Sequence, residues 1–226
     1  MHIQIYSIIN AKEALEVAKA GADRIGVLVT DPSNPNHFPC EVSIEEALPI
    51  FDALRGIATS VLISVALNEE AVLKQVRYLK PDVLHLCTGL KGSLEFRDKL
   101  RKQSPNVQLM EAVGIRDETA VAEAIEVSRY ADTIILDSVD PKIAGIGAAG
   151  VTHDWAIDEK ILTSVSVPVI MAGGLGPDNV RDVLKYHPWG VDSLTKTSVV
   201  ENGKILRKDI DKVRDFCRIV KEYEES

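Results

Sequence analysis

Residues 168–179 (PVIMAGGLGPDN) join an apolar run to a glycine pair, Gly173 and Gly174. Because glycine has no Cβ, the backbone N–H groups of such a pair can come close to an anion. Pro177 suits the first turn of a helix, and the N-terminal end of a helix attracts phosphate. These residues predict a phosphate-binding turn between a strand and a helix, with an ordinary tight turn as the alternative.

An acidic residue within an apolar run is a candidate for acid–base catalysis. Glu111 lies in the run 109–113. Burial makes a carboxyl costly to ionise, so such a residue needs a partner, a raised pKa or a polar cavity. Glu111 is therefore a candidate base, and the alternative is a structural ion pair with Lys196 or an arginine.

Several other side chains could transfer protons or bind an anion. His85 and Cys87 are two positions apart in a predicted strand, so they share one face of it. A tuned imidazole or thiolate carries protons, whereas a core histidine and a buried thiol are the structural alternatives. Ser193, Thr195 and Lys196 offer two hydroxyls and a charge to an anion, or form a polar exit from a strand.

Eight short apolar runs alternate with helical patterns along the whole chain. Helix starts are marked by Asn10, by Ser43 with Glu46 in a capping-box pattern, and by Asn68. Strict alternation implies parallel strands with right-handed crossovers, and eight units close into a barrel. We predict one domain, residues 1–226, with a (β/α)8 TIM-barrel fold. The predicted strands are 3–8, 24–29, 60–66, 83–88, 108–113, 133–139, 167–172 and 190–194.

A doubly wound sheet is the competing fold, but the glycine-rich fingerprint expected after its first strand is missing. In a barrel, the site lies at the carboxyl ends of the strands, and phosphate binds after strands seven and eight. The glycine pair follows the seventh predicted strand. The glycine-containing loop 140–153 is either a lid over the site or an ordinary connection.

Composition limits the class of protein. The chain has 226 residues, of which 46% are hydrophobic, and its net charge of −8 argues against nucleic-acid binding. No apolar run reaches the roughly 20 residues that span a bilayer, so we expect a cytoplasmic protein. The three widely spaced cysteines indicate reduced thiols. We expect no metal and no cofactor, and either a monomer or a homodimer.

Several segments together resemble the phosphoribosylanthranilate isomerase family over the whole chain. The resemblance implies a TIM barrel that converts a phosphoribosylamine to a 1-amino-ketose phosphate with one general acid and one general base. It also implies that the ligand is a small phosphorylated sugar or amino-sugar. The segments that carry the resemblance are IYS (5–7), AGAD (20–23), LDS (136–138), THDW (152–155), AGGLGPDN (172–179) and GVD (190–192).

The resemblance assigns the acid to Asp137, whereas the matching position for the family's cysteine base holds Tyr6. Tyr6 is therefore a candidate catalytic base, although a tyrosine needs a much larger pKa shift than a cysteine for this role. The alternatives are that Tyr6 donates a hydrogen bond to the ligand or fills space. Glu111 and Cys87 are the candidate replacement bases, and Glu111 would pair with Asp137 on the neighbouring strand. The structural alternative for Asp137 is an aspartate that caps a turn. In the family, an arginine that binds an aromatic carboxylate stands at the position of Asn36. His85 lies in the strand-four segment of the substrate site.

Three hypotheses follow from these departures. The first is an isomerase with a changed base and a changed binding site for the group attached to the sugar. The second is a barrel that binds a phosphorylated metabolite without converting it, as a sensor or an assembly partner. The third is a genuine phosphoribosylanthranilate isomerase with unusual catalytic residues.

Overall fold

The computed structural model describes residues 1–32, 34–87, 89–139 and 153–225, which form a closed barrel of eight parallel strands. Each strand pairs with the next along the chain, and the last pairs with the first. The predicted (β/α)8 TIM barrel is confirmed. The strands are β1 (His2–Ile5), β2 (Arg24–Val29), β3 (Thr59–Ser64), β4 (Val83–Leu86), β5 (Gln108–Ile115), β6 (Thr133–Ser138), β7 (Val169–Met171) and β8 (Gly190–Ser193).

Helices surround the barrel. The predicted caps are confirmed, because the side chains of Asn10, Ser43 and Asn68 each accept a backbone N–H of the first helical turn. Such oxygens satisfy donors that have no partner within the helix. The helices in the described ranges are α1 (Ala11–Ala20), α2 (Ile44–Leu54), α3 (Glu69–Leu79), α4 (Leu94–Gln103), α5 (Thr119–Val127), α6 (Trp155–Ser164), α7 (Arg181–Leu184) and α8 (Ile210–Glu224).

Both faces of the barrel strands are buried. Inward-pointing side chains such as Met110 and Ala112 of β5 pack in the barrel interior. Their neighbours Leu109 and Val113 pack on the opposite face, in the clusters outside the barrel. Successive side chains of a strand point to opposite faces, so a shift of one residue moves a side chain from the barrel interior to the helix layer.

A hairpin that we did not predict follows β8. It consists of β9 (Ser198–Glu201) and β10 (Lys204–Lys208), joined by a turn in which Asn202 and Gly203 both have positive φ. The Asn-Gly pair is a strong sequence signal for a hairpin, which the predicted alternation of strands and helices did not take into account. Residues 140–152 of the predicted lid lie outside the described residues. Within those residues, no helix is long and apolar enough to cross a membrane.

Candidate active site

A small pocket opens at the carboxyl ends of β1, β6, β7 and β8. It brings together six of the predicted site residues, from both the acid–base set and the phosphate set. The lining residues are Tyr6, Asp137, Gly173, Gly174, Asp192, Ser193, Leu194 and Thr195.

Asp137 lies on β6 and is 5% exposed. Its Oδ2 accepts a hydrogen bond from Tyr6 Oη at 3.3 Å, and its Oδ1 accepts one from the Ser138 N–H at 2.7 Å. Burial raises the pKa of Asp137 to about 6, against the opposing effect of these two hydrogen bonds. A carboxyl with this pKa exchanges protons readily near neutral pH.

Tyr6 follows β1 and is buried in the barrel interior. Burial, and then the charge of Asp137, raises the pKa of Tyr6 well above its ordinary value. Tyr6 therefore keeps its proton and acts as a hydrogen-bond donor towards Asp137. The tyrosine base that we considered from the sequence does not fit this environment.

A hydrogen-bonded chain behind Asp137 connects β6 to α6. Ser138 Oγ lies 2.9 Å from His153 Nδ1, and His153 Nε2 lies 2.7 Å from Asp158 Oδ1. A Cβ on Gly173 would clash with Ser138 Oγ, so the glycine turn packs directly on this chain. This chain of hydrogen bonds was not predicted from the sequence, although His153 and Asp158 belong to the segment that starts with the THDW motif.

The glycine pair forms the expected turn after β7. Gly173 and Gly174 have φ values of 88° and 62°, which favour glycine. Asn179 closes the turn, because its side chain donates to the Gly174 carbonyl at 3.0 Å and accepts from the Gly176 N–H at 2.8 Å. From Pro177 the segment continues as a helical turn, in which the Val180 N–H donates to the Gly176 carbonyl at 3.0 Å, into the short helix α7. The turn offers an anion its backbone rather than a long helix.

The segment after β8 contributes less charge to the pocket than predicted. Ser193 and Thr195 line the pocket, and Ser193 Oγ donates to the Leu175 carbonyl at 2.6 Å. Lys196 Nζ instead pairs with Asp178 Oδ2 at 2.7 Å on the outer rim. The predicted use of the Lys196 charge for the anion is therefore not supported by its position.

Asp192 is a pocket carboxyl that the sequence analysis did not single out. It lies on β8, is 3% exposed, and its Oδ1 has no hydrogen-bond partner within the described residues. Burial, and then the charge of Asp137, raises the pKa of Asp192 well above the usual aspartate value, against the effects of Gln4, Lys208 and Arg24. These surroundings favour the protonated form of Asp192.

Lys208 of β10 is buried beneath the pocket and is 2% exposed. Its Nζ donates to the Tyr6 carbonyl at 2.9 Å, to Ser198 Oγ at 3.0 Å and to the Leu194 carbonyl at 3.4 Å. Burial lowers the pKa of Lys208 to about 8. This ammonium group joins the hairpin to the ends of β1 and β8 and positions the backbone of Tyr6. Lys208 was not singled out from the sequence.

His85 and Cys87 share the inner face of β4 and its extension, as the spacing predicts. His85 contacts the Tyr6 ring edge-on, with ring centroids 6.2 Å apart, and Cys87 packs against the interior cluster. Burial lowers the pKa of His85 to about 3 and raises the pKa of Cys87 to about 12. The thiol stays protonated, so Cys87 does not fit the predicted base. The imidazole of His85 takes up a proton only far below neutral pH, so His85 does not fit the predicted proton carrier. Among the described residues, no three His, Cys, Asp or Glu side chains are grouped to hold a metal ion.

The predicted pairing of Asp137 with Glu111 is wrong. Asp137 stands opposite Gly114 in the barrel, so the inward positions of β5 are 110, 112 and 114, and Glu111 points outward. Its two carboxylate oxygens lie 3.4 and 3.2 Å from the Gly92 N–H. Burial raises the pKa of Glu111 to about 7, with Lys91 and Gly92 opposing. Glu111 ties the segment before α4 to β5 and does not reach the pocket.

The segment after β2 presents an aromatic ring to the barrel. Asn36, the predicted substrate contact, is exposed, and its backbone N–H donates to Asn34 Oδ1 at 3.0 Å. Phe38 packs against the interior cluster together with Cys87 and Leu194. Phe38, rather than Asn36, therefore provides the contact between this segment and the barrel interior. An aromatic residue in an otherwise polar segment was the available sequence signal.

The chain is similar to one family of known proteins over nearly its whole length. Residues 4–218 match the family model of N-(5′-phosphoribosyl)anthranilate (PRA) isomerase. The N-(5′-phosphoribosyl)anthranilate isomerase of Methanocella arvoryzae is 30% identical over 220 residues, covering 97% of each chain. That of Haloferax volcanii is also 30% identical over 220 residues, covering 97% of this chain and 92% of the relative.

A solved structure extends the similarity to the fold. The phosphoribosylanthranilate isomerase of Thermotoga maritima has a TM-score of 0.78 and 26% identity, covering 98% of this chain and 99% of that chain. These matches favour the third of our hypotheses, an isomerase of the resembled family, over a barrel with a different reaction or none. The chain belongs to the N-(5′-phosphoribosyl)anthranilate isomerase family.

Proposed function

We propose that the protein isomerises N-(5′-phosphoribosyl)anthranilate, the phosphorylated amino-sugar for which its family is named. The observation that carries the proposal is the single pocket that contains Asp137, Tyr6 and the Gly173–Gly174 turn. A proton-transfer group and an anion-binding turn thus face one small ligand. This proposal replaces the changed-substrate isomerase that we favoured from the sequence.

The pocket suggests how the substrate lies. The phosphate binds the backbone of the Gly173–Gly174 turn, with Thr195 on the β8 side. The ribose then lies over Asp137, whose pKa of about 6 suits proton transfer at neutral pH. The aromatic ring extends towards Phe38, which packs at the barrel interior from the β2 side.

The test is direct turnover by the purified wild-type protein. We expect it to convert N-(5′-phosphoribosyl)anthranilate to 1-(o-carboxyphenylamino)-1-deoxyribulose 5-phosphate, followed by mass spectrometry. The matched control substrate is N-ribosylanthranilate, which lacks the phosphate and should react far more slowly, because remote binding energy contributes to catalysis. Complementation of a strain that lacks the isomerase is a second readout. A folded protein that fails both measurements contradicts the proposal.

A further inference from the structure

We propose that Asp192 is the proton donor of this site and that Asp137, held ionised by Tyr6, is the proton acceptor. The assignment rests on the proposed function and deepens it. It reverses the acid role that the family resemblance implies for Asp137, and it assigns a catalytic role to a residue that the sequence analysis did not consider.

The hydrogen bonds around Asp137 stabilise its ionised form. Both of its oxygens accept hydrogen bonds, from Tyr6 Oη and from the Ser138 N–H. Donors to a carboxylate favour the charged state. Tyr6 stands where the resemblance places a cysteine base, so this chain has an O–H donor aimed at Asp137 in place of a thiol.

The surroundings of Asp192 favour its neutral form. In the described part of the chain, its Oδ1 lacks any hydrogen-bond partner, and the carboxyl is buried at the pocket wall. Burial and the charge of Asp137 favour the neutral form, and they outweigh the effects of the Gln4 amide and of the charges of Lys208 and Arg24. Two carboxyls whose surroundings push their pKa values apart divide into an acid and a base.

The other candidate groups do not fit a proton-transfer role. Glu111 points to the helix layer, outside the barrel. Cys87 and His85 share the barrel interior, but burial keeps the thiol protonated and the imidazole neutral. The pocket itself therefore presents two carboxyls, Asp137 and Asp192, with Tyr6 beside them.

The reaction balances with these two groups. Asp192 gives its proton to the ring oxygen as the bond from that oxygen to C1 breaks and the nitrogen lone pair forms a C1=N iminium. Asp137 removes the proton from C2, and the C–H electrons form a C1=C2 bond, which gives a neutral enolamine. Asp192, now ionised, takes the O2 hydroxyl proton as the ketone forms, and Asp137 returns a proton to C1. One hydrogen moves from C2 to C1, and no oxidant or co-reactant is needed.

Two measurements separate the roles. The first is the rearrangement of N-(5′-phosphoribosyl)anthranilate. The second is deuterium exchange at C1 of 1-(o-carboxyphenylamino)-1-deoxyribulose 5-phosphate in D₂O, which needs the acceptor but no ring opening. We expect Asp137→Asn to lower both rates by at least about 10²-fold. Asp192→Asn should lower rearrangement by a similar factor and slow exchange less, because exchange needs no proton on the ring oxygen and the amide still donates a hydrogen bond to O2.

Controls make the outcomes decisive. Glu111→Gln removes a buried carboxyl outside the barrel and should leave both rates at the wild-type values. Thermal melting reports whether each variant is folded. Tyr6→Phe removes the donor to Asp137 and should move the acid limb of the exchange rate to higher pH. If Asp192→Asn does not fold, an unshifted limb in Tyr6→Phe contradicts the assignment.

Three results would overturn the proposal. The first is rearrangement by Asp192→Asn at the wild-type rate. The second is deuterium exchange that survives in Asp137→Asn but not in Asp192→Asn. The third is a Tyr6→Phe variant whose exchange rate falls at the same acidic pH as in the wild-type protein. Failure of the wild-type protein to react with the substrate is a different outcome, because it removes the proposed function itself.

Discussion

Asp137 and Glu111 are both buried carboxyls on adjacent strands, and burial raises the pKa of both. They nevertheless lie on opposite sides of the barrel wall. Asp137 points inward to a pocket that also contains a glycine turn, whereas Glu111 points outward and accepts the Gly92 N–H. A buried acid with a shifted pKa is therefore not by itself a mark of catalysis, and the face of the strand decides its role.

The outward carboxyl has a structural function. A Cβ on Gly92 would clash with both Glu111 Oε2 and the Tyr130 ring, so the backbone before α4 packs tightly against this acid. Lys91 and Glu123 form an ion pair nearby at 3.1 Å on the surface. Outside the barrel, the carboxyl of Glu111 thus holds a loop, whereas inside it the carboxyls of Asp137 and Asp192 line the pocket.

The largest effect should come from the inward carboxyl. We expect Asp137→Asn to lower kcat by about 10² to 10⁴-fold, because an amide neither accepts nor returns a proton. Affinity for inorganic phosphate should persist, since the Gly173–Gly174 turn is unchanged. Steady-state turnover together with phosphate binding by calorimetry checks both statements. Turnover within a few-fold of the wild-type rate would place Asp137 with the structural carboxyls.

The second effect concerns the turn that makes the inner region a binding site. Gly173→Ala adds a Cβ at φ 88° that clashes with Ser138 Oγ, so the turn must shift. We expect KM for the phosphorylated substrate to rise at least about ten-fold and the free energy of unfolding to fall by about 1–3 kcal/mol. Gly203→Ala is the matched control, with φ 75° and no atom within 4 Å of the added Cβ. An equal KM in the two variants would contradict a phosphate role for the turn.

The third effect is the pH dependence of kcat/KM. Because Asp137 must be ionised to accept a proton, activity should fall about ten-fold per pH unit below its pKa of about 6. If Asp137 were the donor, activity would instead fall above that pH. Substrate phosphate also ionises near pH 6, so Tyr6→Phe serves as the comparison. If the loss of activity at low pH reflects protonation of Asp137, it should begin at a higher pH in Tyr6→Phe. If it reflects protonation of the substrate phosphate, it should begin at the same pH in both proteins.

The fold and its helix caps were accessible from the sequence, because they depend on local patterns. Asn10, Ser43 and Asn68 mark helix starts by chemistry within a single turn. The direction of a strand side chain was not accessible. In a parallel barrel both faces are apolar, so a run such as 109–113 shows no alternation from which to read its inward face. Only the register of Gly114 with Asp137 shows that Glu111 faces outward.

The site itself was predictable in part. The glycine pair and Asp137 occupy the pocket as expected, since both end strands at the carboxyl side of the barrel. Asp192 required knowledge of which β8 side chains face Asp137, and Lys208 required the hairpin that folds back beneath Tyr6. These contacts join residues far apart in the chain, so no local pattern carries them.

The smallest effect on activity should come from Glu111→Gln, which should leave kcat and KM within about two-fold of the wild-type values. The glutamine amide oxygen still accepts the Gly92 N–H. The variant should instead differ in its stability as a function of pH. In the wild-type protein, the pKa of Glu111 is about 7 in the folded state, against about 4.3 for an unperturbed glutamate.

Because the folded pKa of Glu111 is the higher one, its contribution to stability is present below about pH 4 and is lost as pH rises to about 7. Glutamine has no such titration, so the variant should gain relative to the wild type by up to about 3 kcal/mol across this range. Urea unfolding at pH 4.5 and pH 8 measures the difference. A constant gap would show that the pKa of Glu111 is the same in the folded and unfolded states. A loss of turnover would return Glu111 to the catalytic candidates and remove the distinction between the two sides of the barrel.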